Sequence, residues 1–204
     1  TNNIIWNIFA DHEHNIWLGT DYGISLSRYN SALQFIPISQ ITGTGDGNQF
    51  YSLFRDSKGF YWFGGANGLI RFTDPAGERH DAIWYRMGDK TYPLSHNRIR
   101  HIYEDKEQQL WIATDGSINR YDYATRQFIH YNIVDNTGTY NTNWTYYIFE
   151  DTAGQLWIST CLGGIFVVDK RKLMQYTSGQ YIAEQNYSVH NGLSGMFINQ
   201  IIPD

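Results

Sequence analysis

The sequence has one cysteine, four prolines and few charges for its 204 residues, and each scarcity removes a class of protein. Cys161 alone allows no internal disulfide and no Cys-rich zinc motif. Charged residues make up only 17%, against roughly a quarter in an ordinary domain, and aromatic residues match them at 17%. That balance excludes a disordered chain, a coiled coil and a charged helical bundle. Lys and Arg form no run longer than Lys170-Arg171-Lys172, and the net charge is −5. A nucleic-acid or anionic-membrane partner is therefore not expected. No apolar stretch reaches the roughly 18 residues that would span a bilayer. The opening Thr1 to Ile4 lacks both an initiator Met and the basic and apolar regions of a signal peptide. The chain reads as a soluble piece cut from something longer.

What the sequence does hold is 7 Trp, 16 Tyr, 11 Phe and 19 Gly, a composition of strands and tight turns. Self-comparison finds four ungapped copies: NIIWNIFADHEHNIW, NQFYSLFRDSKGFYW, NRIRHIYEDKEQQLW and NWTYYIFEDTAGQLW. Asp11, Asp56, Asp105 and Asp151 recur 45, 49 and 46 residues apart, and Trp17, Trp62, Trp111 and Trp157 follow each by six. An Asn stands eight residues before each Asp, at Asn3, Asn48, Asn97 and Asn143, and a fifth copy begins at Met196 and reaches Asp204.

Within a copy, residues 4–10 and their equivalents are apolar and aromatic on both faces, as expected of a strand buried on both sides. The Asp opens a turn, capping backbone N–H groups. A second strand carries the Trp, and a short glycine turn leads to a third. A more variable fourth is best seen in LQFIPI, AIWYRM, QFIHYNI and QYIAEQNYS. Four antiparallel strands in roughly 45 residues describe a β-propeller blade. The predicted fold is all-β, a propeller fragment of four four-stranded antiparallel blades over 4–41, 48–88, 97–134 and 143–190. The start of a fifth blade falls at 196–204, and the parent ring is expected to have seven. Open end faces predict self-association.

The copies IFADHEHNIWLGTDYGISL and IFEDTAGQLWISTCLGGIF resemble the two-component regulator propeller repeat. Ala113 departs from it where Gly is commoner, and Met196 breaks the Asn series. The resemblance implies a periplasmic sensor segment of a hybrid two-component system for polysaccharide use, anchored in the inner membrane. Its histidine kinase would lie elsewhere in a longer chain, so this segment is not expected to be an enzyme. The implied partners are an oligosaccharide and the rest of the sensor chain, with no cofactor and no metal.

Propeller topology places the long connections 39–49, 87–98, 132–144 and 178–197 on one face with the short turns between second and third strands. Loops of this kind on a rigid scaffold commonly carry recognition. The position after the repeating Asn varies through Ile4, Gln49, Arg98, Trp144 and Phe197. The candidate ligand-binding residues are Gln49, Arg98 and Trp144, joined by Tyr22, Asn67 and Asp115 from the short turns. Arg98 could fork onto an anionic sugar. Equally, Trp144 could pack on a neighbouring blade and Arg98 form a surface ion pair. The repeated Asp and Trp residues are expected to serve the blades themselves.

Other signals carry less. His12-Glu13-His14 lies in a turn, where alternate side chains diverge from any common ligand. In the bacterial periplasmic setting that the resemblance implies, the sequons at Asn143 and Asn186 would be chance matches. Cys161 lacks a partnering base motif. The Asp-x-x-Gly-x-x-Trp turn resembles the Asp-box of sialidases, but no arginine cluster or carboxylate pair of the kind glycosidases need stands out. A propeller glycosidase and a protein-interaction scaffold remain as alternatives.

Overall fold

A computed structural model describes residues 4–29, 32–37, 49–73, 82–91, 93–176 and 179–202. Asn3, Asn48, Asp204 and most of the connection 39–49 lie outside them.

The chain folds into four antiparallel sheets, each following the repeat. The first is β1 (Ile5–Ala10), β2 (Ile16–Thr20), β3 (Gly23–Ser27) and β4 (Leu33–Pro37). The second is β5 (Phe50–Arg55), β6 (Tyr61–Gly65), β7 (Gly68–Phe72) and β8 (Ile83–Tyr85). The third contains β9 (Ile99–Glu104), β10 (Leu110–Thr114), β11 (Ser117–Asp122) and β12 (Gln127–Val134). The fourth contains β13 (Thr145–Glu150), β14 (Gln155–Thr160) and β15 (Ile165–Asp169). The innermost strands β1, β5, β9 and β13 lie side by side in that order. The architecture is a β-propeller of four blades.

One stretch divides where the sequence suggests a single strand. In QYIAEQNYS, β16 (Gln180–Ile182) pairs in parallel with β12, giving the third blade a fifth strand. Only β17 (Gln185–Tyr187) closes the fourth blade on β15. The division follows from a short helix, α1 (Lys170–Gln175), which carries the chain away after β15. Asp169 caps it by accepting from the backbone N–H groups of Arg171 at 2.9 Å and Lys172 at 3.1 Å.

The core is three seams, one between each pair of neighbouring blades. Trp17 packs against Phe50, Leu53, Tyr61 and Phe63 of the second blade. Trp62 packs among Ile99, Ile102, Leu110 and Ile112 of the third, and Trp111 among Ile148, Leu156 and Ile158 of the fourth. Each Trp therefore fills the face that the following blade covers. Trp17, Trp62 and Trp111 are buried, whereas Trp157, on the last blade, is partly exposed. At the other end, Ile5, Ile8 and Ile16 of the first blade are exposed.

Close approach of the blades limits side-chain size. A Cβ on Gly19 would stand 2.6 Å from the Phe50 carbonyl oxygen, and one on Gly64 would stand 2.4 Å from Ile99 Cγ2. The third blade carries Ala113 at this place, buried in its seam.

Candidate functional site: the channel beside the inner strands

The repeated aspartates build the edge of each blade before any ligand is considered. In every copy one carboxylate oxygen accepts two turn N–H groups and the other accepts the indole N–H six residues on. For Asp56 these are Lys58 N at 3.0 Å, Phe60 N at 2.8 Å and Trp62 Nε1 at 2.7 Å. Asp11, Asp105 and Asp151 repeat the pattern, with Trp Nε1 distances of 2.8, 2.9 and 2.9 Å. In the first three blades the same oxygen takes one further donor from the next blade. These donors are the Tyr61 hydroxyl for Asp11 at 3.2 Å, the Tyr123 hydroxyl for Asp56 at 2.7 Å and the Lys170 ammonium for Asp105 at 3.2 Å.

These bonds set the charge states. Burial works against the Asp11 carboxylate, but the donors Trp17, Asn15 and Tyr61 outweigh it and hold its pKa below the usual value. Asp151 is lowered in the same way: burial opposes ionisation, and the bonds from Trp157 and Gln155 prevail.

Lys170 is buried among Asp105, Glu107 and Glu150, with Glu150 Oε1 at 2.6 Å. The three carboxylates could together hold a metal ion, but the ammonium already sits among them. The cluster reads as a charged joint between the third and fourth blades.

The inner strands carry a second repeated feature. Each has a β-bulge at its start, so that two of its residues oppose one on the neighbour. Ile5 pairs Thr20 while Asn7 pairs Gly19, leaving Trp6 as the extra residue. Tyr51, Arg100 and Tyr146 are the extra residues of β5, β9 and β13. A bulge turns its extra side chain away from the ladder. All four line one cavity of about 530 Å³, with Asn7, Ser52, His101, Tyr147, Asn199 and Gln200.

The lining is braced by its own contacts. The Trp6 and Tyr51 rings meet edge to face at 5.2 Å, and Trp6 Nε1 donates to Asp21. Arg100 lies over the Tyr146 ring at 4.7 Å. Its fork holds Asp115, Nε to Oδ1 at 2.7 Å and Nη2 to Oδ2 at 3.2 Å. Burial opposes the Arg100 charge, yet the bond to Asp115 and its negative charge raise the guanidinium pKa overall. His101 stacks on Tyr147 at 4.0 Å and accepts from Ile148 N at 3.3 Å. Burial pushes its pKa down to about 4, so the ring is neutral near pH 7.

Of the residues proposed from the sequence, Gln49 and Asp115 contact side chains that line the channel. Gln49 accepts from the Tyr51 hydroxyl at 2.6 Å through Oε1, and Asp115 holds Arg100. Arg98 is exposed, with Nη1 3.8 Å from Asp115 Oδ2. Trp144 is also exposed, at a left-handed φ of 55°, and lines a separate cleft with Tyr140, Asn141 and Leu162. Tyr22 is exposed, as is Asn67, whose carbonyl accepts from Arg86 Nε at 3.0 Å. Gln49, Arg98 and Trp144 each use their carbonyl to accept from the short turn of their own blade, at Ala66, Asp115 and Cys161. Position one after the repeating Asn thus serves the turn, while position three after it supplies the channel. The aligned column Trp6, Tyr51, Arg100, Tyr146 is the signal that identifies it.

A propeller whose blades share an Asp-capped turn and an indole bonded to it is a repeat protein of defined class. Residues 1–22, 44–67 and 93–116 match the family described as two component regulator propeller. The chain is 98% identical, with a TM-score of 0.82, to the extracellular domain of the putative hybrid two component system BT4673 from B. thetaiotaomicron, covering 100% of this chain and 28% of that one. The corresponding domain of BT3049 from the same organism is 20% identical with a TM-score of 0.70, covering 99% of this chain and 24% of that one. A streptogramin B lyase structure shares the fold at 17% identity and a TM-score of 0.58, covering 82% of this chain and 52% of that one. Among curated proteins none matches. The chain spans little more than a quarter of the BT4673 domain it resembles.

Proposed function

We propose that the chain is part of the extracytoplasmic sensor domain of a hybrid two-component system. In this reading the channel beside the inner strands contributes to recognising an oligosaccharide, and a histidine kinase outside the chain receives the signal. The near identity to the BT4673 extracellular domain supports the setting. The observation that carries the ligand class is the bulge column, which gathers Trp6, Tyr51 and Tyr146 with the amides of Asn7, Asn199 and Gln200 around one cavity. Aromatic faces suit the C–H surfaces of sugars, and a few placed polar groups suit their hydroxyls.

Recognition is favoured over hydrolysis because the channel lining contains no Asp or Glu among the described residues, whereas glycoside cleavage uses two carboxylates. The test is a thermal-shift screen of the whole extracytoplasmic domain against a panel of oligosaccharides. A ligand that raises the melting temperature of the wild type, with affinity reduced about tenfold or more in Tyr51→Ala, supports the reading. A ligand bound equally well by that variant places recognition elsewhere.

A further inference from the structure

We infer that the channel takes a neutral saccharide and discriminates against a uronic acid of the same size, an inference that rests on the saccharide reading above. Arg100 lines the channel and Arg98 lies beside the carboxylate that Arg100 holds, an arrangement that on charge alone suits a carboxylate. Both already face one. Arg100 holds both oxygens of Asp115 in a bidentate fork, and Arg98 Nη1 lies 3.8 Å from the same carboxylate. The Asp115 side chain is only 8% exposed. An incoming carboxylate would have to displace it and leave a shielded charge without its partner, which is costly.

Among the described residues, the rest of the lining adds no further cationic side chain to hold an anion. The Trp6 indole N–H, a donor that could serve a ligand oxygen, is directed to the Asp21 carboxylate. Asp115 is thus shared by Arg98 and Arg100, and Asp21 on the Trp6 indole adds a second negative charge beside the channel. Asn7 Oδ1 is a buried acceptor with no hydrogen bond among the described residues, and Asn7 lines the channel. A sugar hydroxyl can donate to it, whereas an ionised carboxylate has no proton to give. Arg100 then acts as a brace that sets the Tyr146 ring.

The experiment is calorimetric titration of the whole extracytoplasmic domain with matched neutral and uronic oligosaccharides of equal length and linkage: glucose with glucuronate, galactose with galacturonate, mannose with mannuronate. The expected result is that a neutral member binds and its uronic partner binds about tenfold more weakly or not at all. In Asp115→Asn the Arg100 fork is released, and the ratio should move about tenfold toward the uronic member. Circular dichroism checks that this variant folds, and the wild-type comparison decides the question if it does not. A uronic member binding the wild type more tightly than its neutral partner overturns the inference and leaves the saccharide reading intact. No binding by any member of the panel overturns both.

Discussion

At the scale of single residues, the fold depends on carboxylates that gather several donors each. Asp105 accepts two turn N–H groups, the Trp111 indole and the Lys170 ammonium. Asp105→Ala should therefore destabilise by about 3 kcal/mol or more, since it removes a turn cap and a partner of a buried lysine. Denaturant unfolding measures this, with a surface substitution such as Lys90→Ala as the reference. Titration gives a second expectation. The folded pKa of His101 is depressed to about 4, whereas the unfolded ring takes up a proton near its ordinary 6.5. The unfolded chain then binds more protons between these values, so stability present above pH 6.5 falls as pH drops toward 4, by up to about 3 kcal/mol. His101→Gln should flatten that slope in melts across the window. Below it, the depressed carboxyls of Asp11 and Asp151 lose their stabilisation as they protonate. The Asp and Trp positions were legible because a spacing kept through four copies stands out from any background. The hydrogen bond that joins them could not be read from spacing.

At the scale of strands, the blades were legible because the aromatic runs, turn aspartates and short glycine turns agree with one another. The bulge was not. A run apolar on both faces shows no alternation, so nothing in Ile5-Trp6-Asn7 marks where one residue leaves the ladder. For that reason the sequence directs attention to Gln49, Arg98 and Trp144, while the channel takes Tyr51, Arg100 and Tyr146 two places later. The fate of QYIAEQNYS was hidden for a different reason. Its two halves suit a strand equally well, and only the position of α1 assigns one to each blade. The seams between sheets give a prediction of their own. Gly64 faces Ile99 so closely that a methyl group has no room. Gly64→Ala should cost about 1–3 kcal/mol through overpacking, read as a lower denaturant midpoint. Ala113→Gly, in the corresponding place, tests the opposite error, a loosened seam.

At the scale of the whole molecule, the two ends of the arc present complementary faces. Phe149, Trp157, Ile201 and Ile202 line an apolar hollow on the last blade, and Ile5, Ile8 and Ile16 stand exposed on the first. The equivalents of Ile8 and Ile16 in the following blades cover Trp17, Trp62 and Trp111. A chain of this length in isolation should therefore associate head to tail, with Ile8→Asp reducing the association in sedimentation velocity. The central claim, that the bulge residues face the ligand, is tested most directly by comparing Tyr146→Ala with Trp144→Ala, adjacent in sequence, in titrations of the whole extracytoplasmic domain with the oligosaccharide it binds. The account predicts about a tenfold or greater loss of affinity for Tyr146→Ala and wild-type affinity for Trp144→Ala; loss with Trp144→Ala and none with Tyr146→Ala would contradict it.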